Sequence, residues 1–178
     1  MGADTPTAPD TAHHQASQHT AHDPLLTAIV ILGSPADRSW GERIVEALNR
    51  FGLEGEVHVA SAHKTPEHLL ALLRACEERE GSRVYITVAG RSNALSGFVD
   101  AQVVAPVIAC PPPGEAFGGM DILSSLRMPR GVAPVVVLEP ENAALAAAKM
   151  LGVASPALRE AVSLAQERER RRVLGGGE

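Results

Sequence analysis

An alternation of continuous apolar runs with amphipathic segments constrains this chain most, and it begins at residue 24 of 178. The first run, LLTAIVILG at 25–33, is apolar along nearly its whole length, which is typical of a parallel strand buried on both faces. The next segment repeats apolar residues every three or four positions from Trp40 to Phe51, the spacing of a helix with one buried face. A strand followed directly by a helix predicts the start of a βα unit.

The same rhythm continues as far as residue 151. The other predicted strands are 57–60, 83–89, 106–110 and 134–138. After the helix over 40–51, the other predicted helices are Pro66 to Gly81, 93–103, 120–126 and 142–151. Five strands separated by helices predict a doubly wound parallel sheet with right-handed crossovers, an α/β fold.

Residues 1–23 form a polar segment without leucine, isoleucine, valine or an aromatic residue. Such a segment has nothing to bury, so we expect a disordered N-terminal tail. Clustered histidines sometimes bind metal, but the spacing here is irregular and no cysteine accompanies them, which favours a solvated segment. The histidines of this tail are His13, His14, His19 and His22.

The alternation of predicted strands and helices ends at residue 151. We therefore predict one domain at 24–152, followed by a C-terminal segment at 153–178. Ser155 and Pro156 open a further amphipathic stretch, which predicts a C-terminal helix. Its arginines alternate with Glu167 and Glu169, a pattern typical of a solvated helical face. The final GGGE is expected to fray.

Composition excludes several classes of function. A net charge of −5 and five aromatic residues argue against nucleic-acid binding. No apolar stretch reaches the about 20 residues of a membrane span, and the N-terminus does not resemble a secretory signal, so we expect a cytoplasmic protein. Cys76 and Cys110 have no second cysteine or histidine at metal-ligand spacing and are expected to be reduced.

Small and polar residues follow the first three predicted strands, at 33–37, 61–66 and 89–93. The carboxyl ends of parallel strands meet at one edge of a sheet, and ligands of such folds bind there. Gly33 permits close backbone approach, Ser34 offers a hydroxyl, and the following helix N-terminus offers amides, which together suit a phosphate. The sequence therefore predicts an anion-binding site at this edge.

Within these loops each candidate side chain has two interpretations. Asp37 suits sugar hydroxyls or caps a helix. His63 suits proton transfer near neutral pH or serves the structure, and Lys64 beside it suits a phosphate. Arg91 suits a carboxylate or phosphate, or is a surface residue of a capped turn. Three such turns on one edge favour a ligand site.

Missing motifs narrow the chemistry further. The sequence has no GxGxxG, no GxxxxGK[ST], no HExxH and no GxSxG. These absences argue against dinucleotide, ATP and zinc-protease sites and against a nucleophilic serine elbow. A phosphorylated small molecule, a histidine acid or base and no resident cofactor remain.

Several long motifs resemble those of one known family. GSPAD, FGLEGEVHVASAHKTPEHL, YITVAGRSNALSGFVDA, ACPPP, DILSSLRMPRG and EPENAALAAAKML are similar to the PurE family of purine biosynthesis. Class I mutases of that family carry a GAGG turn followed by alanine and histidine. This chain has AGRSNALSG at that place, which resembles the class II branch, the aminoimidazole ribonucleotide (AIR) carboxylases.

The resemblance implies a fold, an activity and an assembly. The expected fold is a flavodoxin-like three-layer αβα sandwich with a five-stranded parallel sheet, to which the C-terminal helix is an extension. The expected activity is the reversible carboxylation of AIR with carbon dioxide to 4-carboxy-5-aminoimidazole ribonucleotide (CAIR), without ATP, metal or biotin. The expected assembly is a homo-oligomer, a tetramer or octamer. Separately, because the chain extends past residue 151, we expect 153–178 to contact another subunit.

The resemblance also implies roles for the strand-end residues. His63 is the expected proton-transfer residue, and no metal ligand is expected. The expected substrate-binding residues are Gly33, Ser34, Asp37, Ser61, Ala62, Lys64, Ala89, Gly90, Arg91, Ser92 and Asn93. Two other functions stay open, a mutase acting on the carbamate isomer N-carboxyaminoimidazole ribonucleotide and a non-catalytic nucleotide-binding subunit.

Overall fold

Parallel strands and helices alternate along residues 25–175, the part of the chain that the computed structural model describes. The strands are β1 (Leu26–Leu32), β2 (Glu54–Val59), β3 (Ser82–Val88), β4 (Val107–Ala109) and β5 (Val135–Val136). The helices are α1 (Arg38–Asn49), α2 (Pro66–Glu77), α3 (Ala94–Asp100), α4 (Leu123–Leu126), α5 (Pro140–Leu151) and α6 (Pro156–Val173). Two 3-10 segments, Pro35–Asp37 and Ala116–Ile122, precede α1 and α4.

The sheet has the strand order β2-β1-β3-β4-β5, and every pair of neighbours is parallel. Val30 of β1 lies opposite Val57 of β2 on one side and Ile86 of β3 on the other. The chain therefore winds outward in opposite directions from β1 and β3, which creates a switch point between these two strands. This order is the one predicted for a flavodoxin-like sheet.

Helices cover both faces of the sheet and bury alternate residues of each central strand. Val30 packs in a core with Ile44 of α1 and Ala144 of α5, whereas Ile31 packs in the opposite core with Leu73 of α2. β1 is thus buried on both sides, which explains its continuous apolar run. The predicted three-layer αβα sandwich is confirmed.

The C-terminal helix α6 packs on its own chain. The Ser155 hydroxyl accepts a hydrogen bond from the Leu158 amide at 3.2 Å and so caps the helix. Leu158 and Val162 are buried in the core that also holds α5. Glu167 pairs with Arg170 at 2.7 Å, on the solvated face that the charge pattern predicts.

Several element boundaries differ from prediction; β2, for example, begins at Glu54, three residues before the predicted 57–60. β4 and β5 begin one residue later than predicted, because Pro106 and Pro134 have no amide to donate, and they end at Ala109 and Val136 instead of 110 and 138. α5 begins at Pro140 instead of Asn142, with proline in the first turn, where it is well tolerated. α3 is likewise shorter than 93–103.

The predicted helix over 120–126 is only the short α4. The preceding 3-10 segment includes Phe117, Gly118 and Gly119, whose φ angles of 52°, 65° and 82° are left-handed. This backbone leaves the right-handed helical region, so regular helix begins only at Leu123.

Two predicted features of the chain ends fall partly or wholly outside residues 25–175. The predicted disordered tail 1–23 and the last three residues of the predicted fraying end lie outside the described range. Within that range no helix is long and apolar enough to cross a membrane.

Cys76 and Cys110 are free and buried, and burial raises the pKa of both thiols.

Candidate active site

The three predicted loops start side by side at the carboxyl edge of the sheet. The Ala60 amide donates to the Leu32 carbonyl at 2.9 Å, which ties the end of β2 to the end of β1. The Gly33 amide donates to the Val88 carbonyl at 2.8 Å, which ties β1 to β3. The loops that begin at Gly33, Ser61 and Ala89 are therefore neighbours at the switch point.

Glycine is favoured at position 33 because the end of β3 lies close to it, and not because the backbone angle is unusual. A Cβ atom at this position would lie 3.1 Å from the Cβ of Ala89 and 3.5 Å from the Val88 carbonyl oxygen. The small residues at the ends of β1 and β3 keep the two backbones close together where a ligand would sit.

Ser34 and Asp37 occupy the 3-10 turn that leads into α1. The Ser34 hydroxyl accepts from the Ala36 amide at 3.2 Å, and the Asp37 amide donates to the Ser34 carbonyl at 3.1 Å. The Asp37 side chain makes no capping hydrogen bond to α1, although it immediately precedes the helix. The alternative of a helix-capping carboxylate is therefore wrong; the carboxylate instead forms a hydrogen bond with the Ser34 backbone and is partly exposed.

Burial raises the pKa of the Asp37 carboxyl above its ordinary value, and a hydrogen bond with the Ser34 backbone partly opposes this effect. Desolvation disfavours the charged form of the carboxyl. A partly buried carboxyl with a raised pKa at the ligand-binding edge of the sheet is a candidate functional group.

The loop after β2 is a tight turn closed by its own hydroxyls. The Ser61 amide donates to the Thr65 hydroxyl at 2.9 Å, and the Lys64 amide donates to the Ser61 hydroxyl at 3.2 Å. Ala62 lies half-buried in this turn, while His63 and Lys64 are exposed. The turn thus presents an imidazole and an ammonium group next to each other at the sheet edge.

The loop after β3 holds a left-handed residue that is not glycine. Arg91 has a φ of 58°, and its amide donates to the Asp121 carboxylate at 2.8 Å. The Ser124 hydroxyl lies 2.8 Å from the Arg91 carbonyl oxygen and 3.0 Å from the Asn93 amide. The segment before α4 therefore fixes the path of this turn.

Asn93 differs from the other predicted site residues because it is buried, with 3% of its surface exposed. Its Oδ1 accepts from the Ser96 amide at 3.2 Å, which caps α3, and its Nδ2 donates to the Ser125 hydroxyl at 2.9 Å. Arg91 and Ser92 are exposed beside it, and Gly90 is half-buried. Asn93 thus supports the turn from within.

Two depressions border the Arg91 turn. One, of about 290 Å³, lies between Gly90, Arg91 and the prolines 111–113. The other, of about 390 Å³, lies between Arg91, Ser92 and the exposed Phe117. They give a ligand at the sheet edge room to extend towards the segment that follows β4.

Residue-based reasoning did not identify Thr65, Asp121, Ser124 and Ser125. Asp121 and the two serines belong to the motif DILSSLRMPRG, which carried the family resemblance, but nothing in their spacing indicates a contact some thirty residues back in the chain. Within 25–175, no group of three or more histidine, cysteine or acidic residues is arranged to hold a metal.

Comparison with known proteins decides the family. A model of the AIR carboxylase family matches residues 27–172. The chain belongs to the AIR carboxylase family. All of the strand-end residues described above fall within the matched range.

Relatives within this family match most of the chain. A phosphoribosylaminoimidazole carboxylase of Archaeoglobus fulgidus is 48% identical over 153 residues, 86% of this chain and 84% of the relative. One of Treponema denticola is 44% identical over 146 residues, 82% of this chain and 92% of the relative. The crystal structure of Treponema denticola PurE matches with a TM-score of 0.84 and 43% identity, over 85% of this chain and 96% of that chain. The predicted PurE resemblance and fold are confirmed.

Asp37 provides a test of the electrostatics of this site. Because the pKa of its carboxyl is higher in the folded than in the unfolded chain, the folded state binds this proton more tightly, and stability falls as pH rises through the two pKa values. We expect Asp37→Asn to raise the free energy of unfolding at pH 7, and this gain to disappear below the ordinary pKa of aspartate. Urea unfolding at a series of pH values measures it.

The matched control is Glu42→Gln, which neutralises an exposed acid of α1. We expect it to leave the pH dependence of unfolding unchanged. A wild-type protein more stable than Asp37→Asn at pH 7 would show that the Asp37 carboxylate is not penalised by burial.

Proposed function

We propose that this protein carboxylates AIR with carbon dioxide to form CAIR in purine biosynthesis, without ATP. The convergence of three polar loops at the β1/β3 switch point carries the proposal, because the AIR carboxylase match spans all three. A cation, a histidine and a partly exposed carboxylate lie in the loops at the edge where ligands of this fold bind, which supports the proposal.

The phosphate and ribose of AIR are assigned to the loops after β1 and β2. Gly33 and Ser34, at the start of the turn into α1, offer backbone and hydroxyl groups, and Lys64 supplies positive charge. Ser61 and Ala62 shape the same turn. The partly exposed Asp37 carboxylate has further acceptor capacity and accepts hydrogen bonds from ribose hydroxyls.

The base and carbon dioxide are assigned to the loop after β3. Ala89 and Gly90 allow the base to approach the backbone, Ser92 offers a donor to the carboxylate that develops, and Arg91 supplies positive charge for the phosphate and ribose part of AIR. Asn93 holds this loop in place through Ser96 and Ser125, next to the space assigned to the base.

The reaction follows from the electron-rich aminoimidazole. Its nucleophilic ring carbon attacks carbon dioxide, one carbon–oxygen π pair moves to oxygen, and a carboxylate forms. That ring carbon then carries both hydrogen and carboxylate, so the hydrogen leaves as a proton and its bonding pair restores the aromatic ring. His63, exposed at the sheet edge, accepts this proton. The protein otherwise contributes mainly by positioning the reactants.

We extend the proposal to assembly and location. Phe117, Met120, Leu123 and Leu126 expose apolar side chains along the segment before and within α4, which suits contact with further copies of the chain in a homo-oligomer, a tetramer or octamer. Contact of 153–178 with another subunit is part of the same proposal, as is a cytoplasmic location.

A direct assay tests the reaction. Purified protein is offered AIR with bicarbonate and carbon dioxide or, separately, the carbamate isomer, and CAIR absorbance is followed. We expect CAIR from AIR and carbon dioxide at a rate that rises with carbon dioxide concentration. CAIR from the carbamate isomer alone would indicate a mutase, and no product from either would indicate a non-catalytic binding protein.

His63→Asn tests the proton-transfer role. We expect kcat to fall by about 10² to 10⁴-fold, the usual contribution of a general acid or base, with little change in KM for AIR. His68→Asn is the matched control, because His68 is an exposed histidine five positions later on α2. A kcat close to wild type in His63→Asn would contradict the role.

Lys64→Ala tests the phosphate contact. We expect KM for AIR to rise by roughly 10 to 100-fold, because a hydrogen bond to a charged group is lost, while kcat changes much less. Lys149→Ala, which removes the other lysine of the sequence from the exposed side of α5, is the control. An unchanged KM in Lys64→Ala would remove Lys64 from the phosphate site.

A further inference from the structure

The segment from Gly114 to Ser125 braces the Arg91 turn with three side chains. Asp121 accepts the Arg91 amide at 2.8 Å, Ser124 contacts the Arg91 carbonyl oxygen at 2.8 Å, and Ser125 accepts from the Asn93 side chain at 2.9 Å. The turn after β3 is therefore held by a part of the chain that follows β4.

Arg91 needs this support because of its backbone. Its φ of 58° is left-handed, a region that non-glycine residues rarely occupy without an external constraint. Ser124 contacts the Arg91 carbonyl oxygen and the Asn93 amide, and Ser125 contacts the Asn93 side chain. Of these three side chains, Asp121 is the one that accepts the Arg91 amide. A carboxylate acceptor makes a stronger hydrogen bond to that amide than a neutral one.

Asp121 is itself held in place. A Cβ atom at Gly114 would lie 2.6 Å from Oδ2 of Asp121, so the backbone at 114 closes directly over the carboxylate. The Ser124 hydroxyl also lies 2.7 Å from the Asp121 carbonyl oxygen. The carboxylate therefore lies between the backbone at Gly114 and the Arg91 amide, beside both depressions that border the site.

We propose that Asp121 is a positioning residue for substrate binding: by anchoring the Arg91 amide it keeps Arg91 left-handed and directs the Arg91 and Ser92 side chains at the substrate. The role rests on the proposed function, since it concerns the loop assigned to the base and the carboxylate. It differs from that of a catalytic residue, because Asp121 acts through the backbone of Arg91.

Two substitutions distinguish the loss of the hydrogen-bond acceptor at residue 121, in Asp121→Ala, from the loss of its negative charge alone, in Asp121→Asn. We expect Asp121→Ala to lower kcat/KM for AIR by about tenfold or more, mainly through KM, because the turn loses a hydrogen bond to a charged acceptor. Asn at 121 retains a side-chain oxygen that can accept from the Arg91 amide, so we expect Asp121→Asn to recover most of the loss. The readout is steady-state kinetics with AIR and carbon dioxide.

Asp100→Ala is the matched control. Asp100 also accepts a backbone amide from a distant segment, that of Ala133 at 2.7 Å, but it does so at the end of α3. We expect comparable changes in thermal stability for Asp100→Ala and Asp121→Ala, with KM for AIR altered only in the second.

Hydrogen exchange of the peptide over 88–95 gives a readout that does not need activity. We expect faster exchange there in Asp121→Ala and near-wild-type exchange in Asp121→Asn. If the wild-type protein forms no CAIR, the proposed function fails, while this exchange pattern still tests the bracing. An unchanged KM and unchanged exchange in Asp121→Ala, or an Asp121→Asn variant as defective as Asp121→Ala, would overturn the positioning role.

Discussion

The pairing of β1 with β3 at the centre of the sheet is the contact on which the other features depend. It joins two strands buried on both faces, and it ends where the Gly33 amide meets the Val88 carbonyl and Gly33 approaches Ala89. Since the chain winds in opposite directions from these strands, the loops that leave them diverge to opposite faces of the sheet. The same pairing therefore buries the apolar runs and opens a cleft at the carboxyl edge.

The electrostatics of that edge are local. The chain carries a net charge of −5, yet Lys64 and Arg91 are exposed at the ends of β2 and β3 without an acidic partner among the ion pairs of residues 25–175. Some other arginines of this range are paired, as Arg43 is with Glu141 and Arg79 with Glu56, whereas Arg74 and Arg127, like Arg91, occur in none of these ion pairs. Unpaired cations at the switch point suit an anionic ligand, whereas the paired arginines form ion pairs at the protein surface.

Much of the fold could be predicted from the sequence, because β1, β3, α1 and α2 have long, regular patterns of buried residues. The positions of Ser34, Asp37, His63 and Lys64 followed from the same patterns, since parallel strands end at one edge. The segment after β4 could not be predicted in the same way. Phe117 adopts a left-handed backbone without being glycine, and the Arg91–Asp121 contact joins residues that no periodicity relates. The support of the site, in contrast to its location, is a property of tertiary structure.

The left-handed Arg91 has a consequence for how this sequence can change. A glycine at 91 would adopt the same backbone without a brace but would remove the guanidinium, whereas arginine at 91 is left-handed with its amide bonded to the Asp121 carboxylate. Two positions thirty residues apart are thereby no longer free to vary independently. A turn of this shape can therefore be formed either by a glycine at 91 or by a larger residue at 91 with an acceptor at 121. Changing one arrangement fully into the other takes substitutions at both positions.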